Sequence, residues 1–140
     1  MNLIQFRVTS PDGTNALITF GTPPPNFFDR WIHLVFTYSG GVAENSDAAV
    51  GGAYAKKALQ IYADGNKLVL SGQMNGTYVS MEPEHGEPLY LGASHSGGAE
   101  HDGDMAEIAI WSKELTSQEI KAIYNVTKNG MYEKISGMTG

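Results

Sequence analysis

The sequence predicts a single all-β domain, and three observations support that prediction. The 140 residues suffice for one hydrophobic core. Glycine is abundant, at 17 residues, which suits a fold with many tight turns. Short apolar runs alternate with turn signals, and Asp64-Gly65 between two such runs is the strongest short hairpin signal in the chain. This position gives Asp64 a structural role rather than a ligand role.

Period-two patterns place the strands along the chain. Predicted strands lie at 2–9, 16–20, 31–38, on both sides of the turn within 58–72, and at 77–81, 88–94 and 105–111. Segment 31–38 alternates most clearly, and one face of it carries Ile32, Leu34, Phe36 and Tyr38. Segment 39–57 is rich in Gly, Ala, Ser, Asn and Asp without a sustained period, which predicts a long exposed loop.

One helix is predicted at 117–125. Thr116 is the N-cap, and Glu119 at the third helical position completes a capping box. Leu115 before the cap and Ile120 after it form a hydrophobic staple across the first turn. These signals define the start of the helix more sharply than any other boundary in the sequence.

The helix also closes the predicted domain. Ile120, Ile123 and Tyr124 share one face at helical spacing, so the helix is expected to dock on the strands. The segment 126–140 is polar with three glycines and is predicted to be a tail or linker, which leaves 1–125 as the domain.

Composition excludes several function classes. The net charge of −6 argues against a protein that grips nucleic acid through its phosphates. The absence of cysteine removes disulfides, thiolate metal ligands and cysteine nucleophiles together. No apolar run approaches the ~20 residues that span a bilayer, and the first residues lack a signal-peptide pattern. Neither nucleic-acid binding nor membrane insertion is expected.

Four motifs follow one another between residues 31 and 125. They read WIHLVFTYSGG, LQIYADGNKL, PLYLGAS and HDGDMAEIAIWSKELTSQEIKAIYN. This order resembles the laminin-G-like (concanavalin A-like, pentraxin-like) jelly-roll domains. The resemblance implies a two-sheet antiparallel jelly-roll sandwich with one short C-terminal helix.

Two departures from the family pattern bear on the edges of the sheets. The aspartate of the family's G-x-I-D-E motif is Ala106 here, and the 30 residues before the W-x-H strand are fewer than the family usually carries. One or two strands are therefore expected to be missing, and an open sheet edge is a liability. Three explanations stay open: the chain is a piece of a longer protein, a neighbouring subunit covers the gap, or 126–140 folds back to pair.

No pair of acids suits glycoside hydrolysis. Glucanases of the resembling architecture place carboxylates at alternate strand positions, and the reaction needs two carboxyl groups facing one bond. Asp104 and Glu107 are three residues apart, which puts them on opposite faces of a strand. Glu82 and Glu84 alternate, but Pro83 lies between them. No G-x-S-x-G motif is found either, so the sequence predicts no enzyme.

A calcium site is one expectation for the loop before 105–111. The resemblance implies calcium at rim loops, and this loop offers Glu100, Asp102 and Asp104 with glycine carbonyls nearby. Pentraxins place acids after the L-G of the third motif, where this chain has the residues of segment 93–96, namely Ala, Ser, His and Ser. The alternative is an acidic solvated loop without metal.

Two histidines and one tyrosine complete the candidate ligand residues. His95 and His101 lie in the glycine-rich loop, and with Asp102 they offer a weaker alternative, a zinc site. Tyr54, in the segment predicted as a long loop, is a candidate for stacking on a sugar. His33 is expected to be half-buried with one hydrogen bond, in a structural role.

These observations predict a non-enzymatic adhesion or surface-recognition module that binds a glycan or a protein. The expected contact surfaces are the rim loops 39–57, 82–87 and 93–103. The module is expected in a phage virion or another multi-subunit assembly, as a homo-oligomer or beside other subunits. Its location is expected to be extracellular or virion.

The virion setting rests on indirect arguments. The resembling family works outside cells, whereas this sequence shows neither a signal peptide nor cysteine, and virion proteins are released by lysis. The segment EIKAIYNVTKNGMYEKISG also resembles laminin-G-like parts of phage structural proteins. Missing edge strands suit a subunit that its neighbours complete. The alternative is a stand-alone extracellular calcium-dependent lectin-like domain.

Overall fold

The computed structural model describes residues 3–10, 14–40, 48–78, 81, 90–93 and 100–138, with side chains described for all of these except 29, 48–52 and 129–138. The chain divides into two compact units. One unit comprises Met1–Glu82 together with Glu114–Gly140, and the other comprises Pro83–Lys113.

The larger unit contains two antiparallel sheets of three strands each. Its elements in chain order are β1 (Ile4–Thr9), β2 (Ala16–Gly21), a 3₁₀ turn (Phe27–Asp29), β3 (Leu34–Tyr38), α1 (Ala48–Ala58), β4 (Leu59–Ala63), β5 (Asn66–Lys67), β6 (Leu70–Asn75) and α2 (Ser117–Met138). The first sheet has the order β1-β2-β6 and the second has the order β3-β4-β5. The predicted two-sheet antiparallel class is confirmed.

The register of the sheets decides which side chains face the core. Val8 pairs with Leu17, and Leu17 pairs with Met74, so these three form one row across the first sheet. The row lies in a buried cluster with Leu59 of β4 and Tyr78. The rings of Phe6 in β1 and Phe36 in β3 also meet, with centroids 5.3 Å apart. The two sheets therefore pack face to face, as a sandwich requires.

Helix α2 covers the outer face of the second sheet. Val35 and Tyr62 are cross-strand partners on that face, and they pack in one buried cluster with Leu115 and Ile120. Ile123 lies against the same cluster. The predicted apolar stripe of the helix is thus the surface that docks.

The predicted start of α2 is confirmed in detail. The Glu119 N–H donates to the Thr116 hydroxyl oxygen at 3.2 Å, and the Thr116 N–H donates to the Glu119 carboxylate at 2.8 Å. This reciprocal pair is the capping box. Leu115 and Ile120, the two residues of the predicted staple, are 7% and 0% exposed.

Thr116→Ala is expected to lower the free energy of unfolding by about 1 kcal/mol, because one N-terminal N–H loses its acceptor. Thermal or urea denaturation followed by circular dichroism measures the loss. Ser117→Ala, one residue along and outside the capping box, serves as the control and should cost less. Equal losses in the two variants would contradict the cap.

Helix α2 is longer than predicted. It continues through residues 126–138, which the sequence predicted to be tail or linker. Gly130 and Gly137 suggested an end, yet a glycine inside a helix costs only about 1 kcal/mol relative to alanine. Since 126–138 are helical, they do not supply a sheet strand, and the explanation in which this segment folds back to pair was wrong.

The predicted loop 39–57 was also wrong in part. Residues 48–58 form α1, which ends directly at β4. Ala55 and Ala58 are buried in the core cluster. The Gln60 side-chain amide donates to the last carbonyls of the helix, those of Lys56 and Lys57. The paired glycines 51 and 52 disfavour a helix by propensity, so the sequence did not predict α1, which this packing stabilises.

Three predicted strands are not found as strands in the described parts of their segments. Residues 77, 78 and 81, residues 90–93 and residues 105–111 carry no strand assignment. In the last segment Ile108, Ile110 and Trp111 are exposed, and Glu107 has a left-handed φ of 56°. An alternating pattern becomes a strand only when a partner strand supplies hydrogen bonds. Within the described residues, no helix is both long and apolar enough to cross a membrane.

Candidate functional site

The predicted acidic loop lies in the smaller unit and is exposed. Glu100, His101, Asp102 and Asp104 are all on the surface of the chain. The His101 N–H donates to the Gly92 carbonyl at 2.7 Å, which ties this loop to the third sequence motif. The acids are therefore exposed to solvent on a loop that this backbone hydrogen bond anchors.

Among the described side chains, no three of the His, Asp and Glu residues group closely enough to hold a metal ion. His95 lies outside the described residues, so its ligand role and the zinc alternative are untested. Calcium at Glu100, Asp102 and Asp104 also stays a prediction. Backbone carbonyls, which calcium also uses, would have to contribute to such a site.

Tyr54 lies on α1 rather than in a loop. Its ring packs against the core cluster, and its hydroxyl donates to the Gly40 carbonyl at 3.3 Å. The tyrosine is half-buried, so it links the helix to the chain that follows β3. Its role in stacking on a sugar stays a prediction.

A charged corner that the sequence did not single out lies at the β4–β5 turn. Asp64 and Gly65 have φ values of 52° and 72°, as a type I′ turn requires. The Asp64 carboxylate forms an ion pair with Arg30 at 2.7 Å and accepts a hydrogen bond from the backbone N–H of His33 at 3.1 Å. The Asp64 N–H donates in return to the His33 carbonyl at 2.9 Å. Asp64 is therefore structural, as predicted.

His33 occupies the centre of this corner. Its ring lies 5.8 Å from the ring of Tyr124 on α2. Its Nδ1 atom is buried and has no hydrogen-bond partner among the described residues. Burial lowers the pKa of His33 below its ordinary value of 6.5, and the negative charge of Asp64 opposes part of that shift. The imidazole is half-buried, as predicted.

The sandwich is open along one side. Phe36 lies on the core-facing side of β3, as its contact with Phe6 demonstrates, and Leu34 two residues earlier shares that side. Yet Leu34 is 36% exposed and Phe36 is 43% exposed. In the described part of the chain, β1 and β3 each pair with a single strand, so both are edges. Core-facing side chains thus reach solvent at the edge formed by β1 and β3.

Sequence reasoning recognised the alternation in 31–38 but not this exposure, because burial depends on how many strands flank each edge. For the Arg30–Asp64 pair the signal was the Asp64-Gly65 turn itself, since a short polar side chain there can bond neighbouring backbone.

Comparison with known families gives one match. A laminin G family model, described as the concanavalin A-like lectin/glucanases superfamily, matches residues 2–121. Neither the curated proteins nor the solved structures contain a match. The matched span begins before β1 and ends within the first turns of α2, so it covers both sheets.

Proposed function

Because the chain belongs to the concanavalin A-like lectin/glucanase superfamily, we propose that it is a non-enzymatic module that recognises a glycan or protein surface within a multi-subunit assembly. The superfamily includes both lectins and glucanases, so membership alone does not choose between binding and hydrolysis. The choice rests on the acids and on the open edge of the sandwich.

The proposal that the chain belongs to a multi-subunit assembly rests on the exposure of core-facing side chains. Leu34 and Phe36 belong to the inner face of β3, and each is more than a third exposed. Apolar edges of this kind attract another chain, since unpaired N–H and C=O groups add to the exposed apolar area. We place a neighbouring subunit against the edge formed by β1 and β3. A phage virion is the setting we favour, since its subunits complete one another.

The positions of the acidic residues support binding over hydrolysis. Glu100, Asp102, Asp104 and Glu107 are exposed, whereas hydrolysis needs two carboxyl groups directed at one bond in a cleft. Recognition in this proposal uses His101 on a rim loop and Tyr54 on α1 as contact residues, with calcium as the cofactor of the acidic loop. Release of sugar from a glycan panel by the purified protein would favour a glucanase instead.

The test is the solution mass of residues 1–140 by light scattering, with calcium and with a chelator. We expect an oligomer in place of the 15.1 kDa monomer. Phe36→Lys should return the mass to that of the monomer, because a charge enters the apolar edge. Val69→Lys is the matched control: Val69 is 83% exposed and lies between β5 and β6, on the other side of the sandwich. This variant should keep the oligomer.

A monomer in all conditions would contradict the assembly proposal and favour the stand-alone lectin-like domain. Circular dichroism of both variants distinguishes a lost contact from a lost fold. A glycan screen with and without calcium then becomes the decisive measurement, with Asp102→Asn and Asp104→Asn as the variants that should abolish calcium-dependent binding.

A further inference from the structure

His33 lies where β3, the β4–β5 turn and α2 meet, and its surroundings disfavour the protonated imidazole. The His33 Nδ1 atom is buried without a partner among the described residues. Its ring rests against Tyr124, in the second turn of α2, at 5.8 Å. A proton on Nδ1 would place an unpaired donor and a positive charge between the sheet and the helix.

Two cations lie over the ring of Tyr124, the aromatic residue that His33 contacts. Lys121 and Lys128 place their Nζ atoms 5.6 Å and 5.4 Å from the centroid of the Tyr124 ring. Arg30 forms an ion pair that already occupies one carboxylate oxygen of Asp64. The other oxygen of Asp64 accepts a hydrogen bond from the backbone N–H of His33. Asp64, the acid whose charge acts on the imidazole, is therefore already engaged by two donors.

The contacts of α2 with this corner differ from those of its first turn. Ile120 is fully buried against the sheet and anchors the first turn. From Lys121 onward the helix contacts the sheet and the turn through the Lys121–Asn66 hydrogen bond of 3.1 Å, the Tyr124 ring and the partly buried Ile123. These contacts are polar or partly exposed, so they form a weaker attachment than the anchor.

We propose that His33, Asp64 and Tyr124 form a pH-sensitive latch that holds residues 121–128 of α2 against the second sheet at neutral pH and loosens them when His33 gains a proton. The event is local: the anchor at Ile120 and the two sheets stay in place. The latch is independent of the proposed recognition function and could be present in a monomer or in an oligomer.

The direction of the effect follows from linkage. In the closed latch the pKa of His33 lies below 6.5, whereas in the open latch the solvated imidazole returns to that value. The open state thus binds more protons between the lowered pKa and 6.5. Closure is fully favoured above pH 6.5 and weakens as the pH falls through that interval.

Amide hydrogen exchange on the full chain tests the latch. Protection factors, which compare each rate with the intrinsic rate at the same pH, should fall for amides 121–128 between pH 7.5 and pH 5, by a factor of up to ten for each unit by which burial lowers the pKa of His33. Amides of β4 should change less. His33→Gln should remove the difference, because the amide side chain does not titrate, while the exposed-histidine control His101→Gln should retain it.

A second measurement guards against a His33→Gln chain that does not fold. The His33 imidazole can be titrated by NMR in the unaltered protein, and its midpoint should lie below 6.5 and coincide with the change in protection. Three results would overturn the latch: equal protection at both pH values, a fall that persists in His33→Gln, or an imidazole midpoint at or above 6.5.

Discussion

Tyr78→Ala is expected to lower the free energy of unfolding by about 3–5 kcal/mol. Tyr78 is fully buried and is the largest such side chain in the described part of the chain. It packs in one buried cluster with Leu17 of the first sheet and Leu59 of the second. Removing the ring leaves a cavity, and the two sheets cannot fill it without disturbing the pairing of their strands. Urea denaturation at pH 7 measures the loss.

Tyr78→Phe separates the ring from its hydroxyl. The Tyr78 and Tyr38 hydroxyls share a hydrogen bond of 2.8 Å, and burial followed by this bond raises the pKa of Tyr78. Losing the bond while keeping the ring is expected to cost about 1 kcal/mol. Phe28→Ala is the control, since Phe28 is 71% exposed and should cost less than about 1 kcal/mol. If Tyr78→Ala cost no more than Phe28→Ala, Tyr78 would not belong to the core.

Gly65→Ala is expected to destabilise by about 2–3 kcal/mol, and Gly40→Ala by about 1 kcal/mol. Both glycines have φ of 72°, so an alanine at either position carries the same left-handed backbone penalty. A Cβ at Gly40 would meet nothing within 4 Å. A Cβ at Gly65 would lie 2.9 Å from Lys121 Cδ and 3.2 Å from Tyr124 Cβ. Only the second site crowds α2.

The difference between the two alanine variants therefore isolates the seat of α2 on the β4–β5 turn. Lys121 can swing aside, but Tyr124 Cβ is fixed to the helix backbone, so the helix itself must shift. Chemical denaturation of both variants gives the difference directly. Equal losses would mean that α2 does not rest on this turn in solution.

Local signals were the part of the fold that the sequence predicted well. The capping box of Thr116 and Glu119 and the turn at Asp64-Gly65 involve residues a few positions apart, and their hydrogen bonds and φ values follow from residue type. The face of β3 that carries Phe36 was likewise readable, because strand alternation is a property of the backbone.

Features set by distant contacts were not predictable in the same way. Helix α1 has a weak intrinsic signal, and it exists because Ala55 and Ala58 pack against both sheets. The alternating pattern at 105–111 predicted a strand, but a pattern does not reveal whether a partner strand lies beside it. Residues 105–111 are not a strand, and Ile110 is 74% exposed. The acids at 100–104 were correctly placed on one loop, but whether loop oxygens converge on a cation depends on chain segments far apart in sequence.

The passage of the chain from β5 to β6 sets the order in which the fold can form. Only Leu68 and Val69 separate the two strands, yet β5 completes one sheet and β6 completes the other. Ala16 of β2 pairs with Asn75 of β6, and β3, α1 and β4 lie between these two strands in the sequence. The pairing of β2 with β6 therefore closes a long loop. Such long loop closures slow folding relative to local hairpins. The hairpin at Asp64-Gly65 is thus expected to nucleate folding, and β2 with β6 to form late and govern the refolding rate.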